Sequence, residues 1–162
     1  MEQIVSTPSL SFSEAINKAA SKIFQFEGRS RRSEYWWTMM IIYLVSIILT
    51  PFAGFVLSIL TIPLTFRRLH DTGRSGWWWG GCAILQGIFI VLFVYDLIMV
   101  YLNADNMYGY GSEIIWTFLL KYSLFSLLIG IYKVVLIVFC CIDSEPYENN
   151  YGESSKYIIV DK

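Results

Sequence analysis

The sequence predicts an all-α integral membrane protein: four transmembrane helices, the first two short and paired as a hairpin, preceded by an amphipathic N-terminal helix. Three observations predict it. Of 162 residues, 56% are hydrophobic and 15% charged, whereas a soluble domain carries about a quarter charged. No charged residue stands between Trp36 and Phe66. The basic residues gather at the edges of the apolar segments, where they set membrane orientation.

The chain reads as a single membrane domain, 1–162, whose elements follow in order. An amphipathic interfacial helix is expected over 11–25. Ser11 and Glu14 have capping-box spacing. Phe12, Ala15, Ile16, Ala19, Ala20, Ile23 and Phe24 recur at i, i+3, i+4 along one face. That face suits either the lipid interface, with Lys18 and Lys22 toward phosphates, or the protein's own helices.

A helical hairpin is expected over 35–66. Three arginines, Arg29, Arg31 and Arg32, precede Tyr35, Trp36 and Trp37. As one helix, the 31 residues from Trp36 to Phe66 would extend about 46 Å, against a hydrocarbon core of roughly 30 Å. One crossing would also put Arg29–Arg32 and Arg67, Arg68, Arg74 on opposite sides, against the positive-inside rule. Two crossings keep them together, at the cost of helices of only about 15 residues. The charge distribution favours the hairpin, turning near Pro51.

The third span is expected over 77–96, the fourth over 121–141, and between them an external hairpin loop over 97–120, which contains no Lys or Arg and whose apolar arms either extend the helices or lie on the outer surface. Asp96 and Lys121 lie at matching depth in an antiparallel pair, so they either interact across the helices or snorkel separately to the interface. Lys133 lies inside the fourth span, about two turns from its cytoplasmic end, within snorkelling reach. The cytoplasmic tail, 142–162, is acidic and turn-rich. With the N-terminus inside, the basic residues fall on the cytoplasmic side except Lys121, at the outer membrane edge, and Lys133 within the span. The chain is therefore expected to be multi-pass, with both termini cytoplasmic. No basic n-region followed by an apolar stretch opens the chain, so no cleaved signal is expected. Cys82, Cys140 and Cys141 form no CxxC or Cys/His pairing, so no metal site or disulfide scaffold is expected.

Three stretches, "FEGRSRRSEYWW", "IPLTFRRLHDTGRSGWW" and "CIDSEPYENNYG", resemble in order the signature blocks of the domain of unknown function 805 family, the YhaH/YhaI-like small bacterial inner-membrane proteins. The resemblance spans roughly residues 11–152. Phe26, Gly28, Arg29, Arg32, Glu34, Tyr35 and Trp36 match the first block. Arg67, Arg68, Leu69, His70, Asp71, Arg74, Ser75, Trp77 and Trp78 match the second, and Asp143, Ser144, Pro146, Asn149, Tyr151 and Gly152 the third. Tyr147 stands where many members have Gly, and Glu153 where Pro is usual. The first hairpin is shorter than in many members and the segment between the last two spans longer. The resemblance implies four helices in the inner membrane; it brings no activity, substrate, cofactor or catalytic residue.

The predicted topology puts the three blocks on one membrane face. Arg29, Arg32, Arg68 and Arg74 offer planar donors suited to phosphate or carboxylate. Glu34, Asp71 and Asp143 can orient them, as can Asn149 and the Tyr151 hydroxyl, while Arg67 and His70 complete the set. Two readings stand side by side: a structural polar network fixing the helix ends, or an anion or lipid-headgroup site. Expected partners are membrane lipids, anionic headgroups among them, and a second copy or another membrane protein; nucleic acid is not expected. A small transporter or channel-like oligomer subunit is an alternative, although no repeat or polar row through the bilayer supports it. A lipid-modifying enzyme using His70 has least support. No nucleophile elbow, zincin helix or phosphate-cradling loop is present, and neighbours in sequence such as His70 and Asp71 seldom pair side chain to side chain. Non-enzymatic function is therefore expected.

Overall fold

The computed structural model describes residues 2–49, 51–102 and 111–161. The chain is mostly helical: α1 (Phe12–Ser21), α2 (Arg32–Ile48), α3 (Pro51–Leu60), α4 (Ile62–Asp71), α5 (Trp77–Leu102) and α6 (Gly111–Cys141), with two strands, β1 (Glu2–Ser6) and β2 (Tyr157–Asp161). Two compact units emerge, Met1–Trp79 with Val138–Lys162, and Gly80–Ile137.

In the first unit, α1 is started by Ser11, whose backbone N–H donates to Glu14 Oε2 at 2.8 Å. Glu14 thereby satisfies a helix-end donor and places negative charge at the positive end of the helix dipole. Ala15 and Ala19 are buried where α1 packs on α2, and Phe12 meets Trp37 edge-on at 5.6 Å. The small residues let the two backbones approach. Of the two roles open to this face, packing on the protein's own helix is the one seen.

The uncharged run doubles back. α2 stops at Ile48, and Pro51 opens α3 where its missing N–H costs nothing. α3 packs against α2. The return path breaks once more at Thr61, between α3 and α4. Pro63 cannot donate to the carbonyl four residues before it, and its ring crowds that carbonyl. At the base of the hairpin the Ser30 N–H donates to the Arg67 carbonyl at 3.0 Å, so the two Arg-rich stretches lie side by side.

The polar block after Phe66 is helical, not a loop, as far as Asp71. Its helix ends in a Schellman motif: Arg74 N–H donates to Leu69 O at 2.9 Å and Gly73 N–H to His70 O at 3.0 Å, with Gly73 at φ +70°. A Cβ at Gly73 would also collide with the Glu145 carboxylate. Ser75 then starts α5 by accepting from the Trp77 N–H at 3.3 Å.

The chain departs from all-α at its ends. β1 and β2 pair antiparallel, Gln3 opposite Val160 and Val5 opposite Ile158. Each segment alone is five residues, too short to declare itself, and only the tertiary fold brings the two together.

The second unit is an antiparallel pair formed by α5 and α6. Phe89 meets Tyr122 at 5.5 Å and Phe93 meets Phe118 at 5.3 Å. Both helices run past the expected spans, so the arms of the expected 97–120 loop are helical as far as Leu102 and from Gly111 onward. Residues 97–102 and 113–120 are predominantly apolar and carry no Gly or Pro to stop a helix; 103–110 lie outside the described residues. Of α5, only Gly80 and Cys82 are buried. Among the described residues these two helices, Trp77–Leu102 and Glu113–Cys141, are long and apolar enough to cross a membrane, and a helix apolar on all sides belongs in lipid.

The Schellman turn gives the first test. Gly73→Ala forces a left-handed residue against Glu145 and should cost about 1–3 kcal/mol. Gly87→Ala, where no atom lies within 4 Å of the added Cβ, should be neutral or slightly stabilising. Thermal unfolding of both variants in detergent distinguishes them.

Candidate functional site

The polar centre of the first unit is Asp71, the last residue of α4, with no exposed surface. Its Oδ1 accepts from Arg29 Nε at 3.1 Å and Ser155 Oγ at 2.8 Å. Its Oδ2 accepts from Arg68 Nη1 and Ser144 Oγ, both at 2.5 Å. The Asp71 carbonyl accepts from the Glu145 N–H at 3.0 Å. One carboxylate thus joins the loop before α2, α4 itself and the C-terminal segment.

The two arginines are committed to protein oxygens. Beyond Asp71 Oδ1, Arg29 donates to the carbonyls of Tyr147 (2.8 Å), Gly152 (3.2 Å), Asp71 (3.3 Å) and Glu145 (2.5 Å). Those five bonds fill a guanidinium's donor capacity. Arg68 donates to Asp71, to Ser30 O at 3.1 Å, to Cys140 O at 3.0 Å and to Ile142 O. Cys140 lies in the last turn of α6 and Ile142 just past its end, so Arg68 answers carbonyls that the helix leaves unpaired and sits at the negative end of its dipole. Burial pulls the Arg68 pKa down from the ordinary arginine range, against the pull of Asp71.

Around this centre, His70 Nδ1 lies 3.2 Å from the Gly28 carbonyl and its ring stacks on Tyr151 at 3.8 Å. A carbonyl only accepts, so Nδ1 carries the proton. Burial lowers the His70 pKa, opposed by the Gly28 contact. Asn149 Nδ2 donates to His70 O at 3.0 Å and to Glu145 Oε2 at 2.7 Å. Farther out, Asp143 meets Arg32 at 3.2 Å and Lys156 at 2.6 Å. Partial burial pushes the Asp143 carboxyl up, but bonds from Lys156 and the Ser144 N–H outweigh it and hold the pKa below the usual range.

Glu34 and Arg67 form a separate buried cluster. Arg67 Nη1 is 3.3 Å from Glu34 Oε1, and Lys18 Nζ is 3.4 Å from Glu34 Oε2. These are charge contacts without hydrogen-bond geometry: both Glu34 oxygens, all three Arg67 guanidinium nitrogens and Ser30 Oγ lack a hydrogen-bond partner among the described residues. In the second unit, Lys121 Nζ and Tyr122 Oη both donate to Asp96 Oδ2 at 2.6 Å.

A family model described as "Protein of unknown function (DUF805)" matches residues 23–56 and 45–153. The chain belongs to the DUF805 family. It is 31% identical over 98 residues to the inner membrane protein YhaH of Escherichia coli (strain K12), covering 49% of this chain and 75% of YhaH. With YhaI of the same strain it shares 32% identity over 105 residues, covering 54% of this chain and 84% of that one. Both relatives are named as inner membrane proteins, and no solved structure matches.

In this DUF805 chain the three signature blocks meet in the first unit. Arg29, Arg68, His70, Asp71, Asn149 and Tyr151 come together around Asp71, with Arg32 and Asp143 at the rim. Glu34 holds Arg67 rather than the other arginines. Arg74 lies over the Phe139 ring at 4.2 Å and donates to Thr72 O. Tyr151 contributes its ring, stacked on His70. His70 and Asp71 face different partners and make no dyad. Sequence reasoning missed Ser144, Ser155, Glu145 and Lys18. Ser144 stands in the third signature block, which was a usable signal; Ser155 and Lys18 carried none.

Asp71→Asn leaves two guanidinium groups buried without a counter-charge and should destabilise the fold by about 3–5 kcal/mol. Arg32→Ala removes a pair in which both side chains are about half exposed and should cost about 0–1 kcal/mol. Chemical unfolding in detergent measures both. His70 gives a pH signature: its folded pKa lies below the unfolded value, so the unfolded chain binds the proton more readily. Stability should be full above about pH 6.5 and fall as pH drops through that value toward the lower folded pKa. A flat melting profile between neutral and mildly acid pH in wild type, or an unchanged slope in His70→Gln, would overturn the assignment.

Proposed function

We propose that this protein is a four-span inner-membrane protein with both termini in the cytoplasm, and that its Arg-rich blocks are a structural clamp on the cytoplasmic helix ends. The supporting observation is the commitment of Arg29 and Arg68. All five donors of one and four bonds from the other go to oxygens of the protein. A phosphate donor needs free N–H groups facing outward, and these point inward at carbonyls and Asp71.

The return of the α2–α3–α4 hairpin supports even crossing by that segment, since Ser30 and Arg67 are hydrogen-bonded at its base. The exposed apolar side chains of α2, Tyr43, Leu44, Ile47 and Ile48 among them, are suited to lipid. Two short crossings then join the two long ones of α5 and α6, and every Arg-rich stretch faces the side that retains positive charge. Hairpin helices shorter than the usual span call for local thinning of the bilayer.

Among the described residues, a headgroup reading attaches to a cleft at the rim of the clamp. A polar cleft of about 340 Å³ between Thr7, Ser9, Arg31, Arg32, Ser33, Asp143 and Lys156 brings three cations to one carboxylate. Membrane lipids with anionic headgroups are its proposed partners.

Topology is tested by single cysteines at the exposed positions Glu27, Ser75, Glu153 and Glu113 in a background free of Cys82, Cys140 and Cys141. In spheroplasts, an impermeant thiol reagent should label only Glu113→Cys; the other three should label after permeabilisation. Labelling of Ser75→Cys before permeabilisation, with Glu27→Cys protected, would mean that the hairpin crosses once. Co-purified phosphatidylglycerol should decline in Arg32→Ala if the cleft holds headgroups.

A further inference from the structure

Arg67 remains unaccounted for by the clamp. Its side chain is 1% exposed, and Nε, Nη1 and Nη2 have no hydrogen-bond partner among the described residues. It lines an apolar pocket of about 170 Å³ between α1, α2, α3 and α4, with Ile16, Ile23, Ile42, Leu57 and Leu64 among the walls. A buried guanidinium without hydrogen bonds is costly, and native folds rarely leave one so. Nearby charges do not balance: Lys18 and Arg67 face the single carboxylate of Glu34, an excess of one positive charge.

We propose that this pocket binds a single-chain, monoanionic amphiphile, a fatty carboxylate, with its carboxylate on Arg67 and its chain among the isoleucines and leucines. A carboxylate matches the planar fork of arginine and brings the cluster to two charges of each sign. The volume fits one chain: an apolar cavity of about 150 Å³ takes one benzene, so the pocket holds a segment of about six carbons and no second acyl chain. The proposal is independent of the clamp, since Arg67 contacts neither Asp71 nor Arg29 among the interactions described.

The test uses the full chain in phosphatidylcholine nanodiscs, titrated with decanoate and followed by melting temperature and calorimetry. Decanoate should bind saturably and raise the melting temperature. Decanol, which has the chain without the charge, and inorganic phosphate, which has charge without the chain, should bind at least about tenfold more weakly, the loss of one charge-assisted bond. Arg67→Gln should abolish the decanoate effect. Because that change also disturbs Glu34, Ala20→Trp provides the second arm. It fills the pocket from an exposed position of its wall, so it should keep the unliganded melting temperature and lose decanoate binding. No saturable binding by wild type, equal binding by Ala20→Trp, or decanol binding as tight as decanoate would each overturn the proposal. An equal rise in melting temperature from phosphatidylglycerol in the nanodisc would overturn it in favour of a two-chain lipid. Loss of folding in Asp71→Asn with normal decanoate binding in wild type bears on the clamp alone.

Discussion

Removing two guanidinium groups from water is among the costliest things a small fold can do, and the first unit is arranged around having done it. A single carboxylate cannot supply enough acceptors for Arg29 and Arg68. The remainder come from backbone carbonyls, and backbone carbonyls are free only where regular structure stops. That requirement explains why the site sits where α4 and α6 end and where the C-terminal segment runs without regular hydrogen bonding. The irregular course of residues 142–156 is the source of acceptors that helices would have kept for themselves.

Arg67 and Arg68 are adjacent in sequence yet have unlike surroundings. Successive residues of a helix point about 100° apart, so α4 sends Arg68 toward Asp71 and the end of α6, and Arg67 toward Glu34 and the apolar space beside α1. A paired-arginine motif at a membrane edge is ordinarily read as an orientation signal, a role that asks only for charge. Here the two positions differ: the Arg68 guanidinium donates four hydrogen bonds to protein oxygens, and the Arg67 guanidinium donates none among the described residues. Lysine could replace either as a charge, but not as the planar five-donor group that the Asp71 site uses.

Much of the helical architecture was legible because it follows from rules that act locally or by composition. Ser11 and Glu14 mark the start of α1, Pro51 marks the break in the uncharged run, and the arginines clustered at both ends of that run argue for a return path. The members of the polar centre were legible as residue types: Arg29, Arg68 and Asp71 stood out because charges are scarce in so apolar a chain. Their pairing was not. Which acceptor meets which arginine depends on carbonyls, and carbonyls carry no sequence signature. The ribbon was illegible for a related reason, since β1 and β2 are joined only by the fold between them. Of the two courses open to the apolar arms beyond Asp96 and Lys121, extension of the helices is the one found, and these two charges mark no helix end. Bonded to each other at 2.6 Å, they sit along helices that continue past both.

The β1–β2 ribbon has a bearing on how the protein is made. Its first strand precedes every helix and its second follows them all, and the partners of Arg29 and Arg68 beyond residue 138 arrive equally late. A chain emerging from the ribosome N-terminus first therefore carries its arginines through most of translation with their final acceptors not yet made. Hydration has to hold them in the meantime. The segment from residue 140 to 161 acts as a keystone: the helical hairpins can form as they emerge, but the polar centre closes only once that segment has been made. Its loss would strip β1 of its strand partner and Arg29 of three carbonyls together.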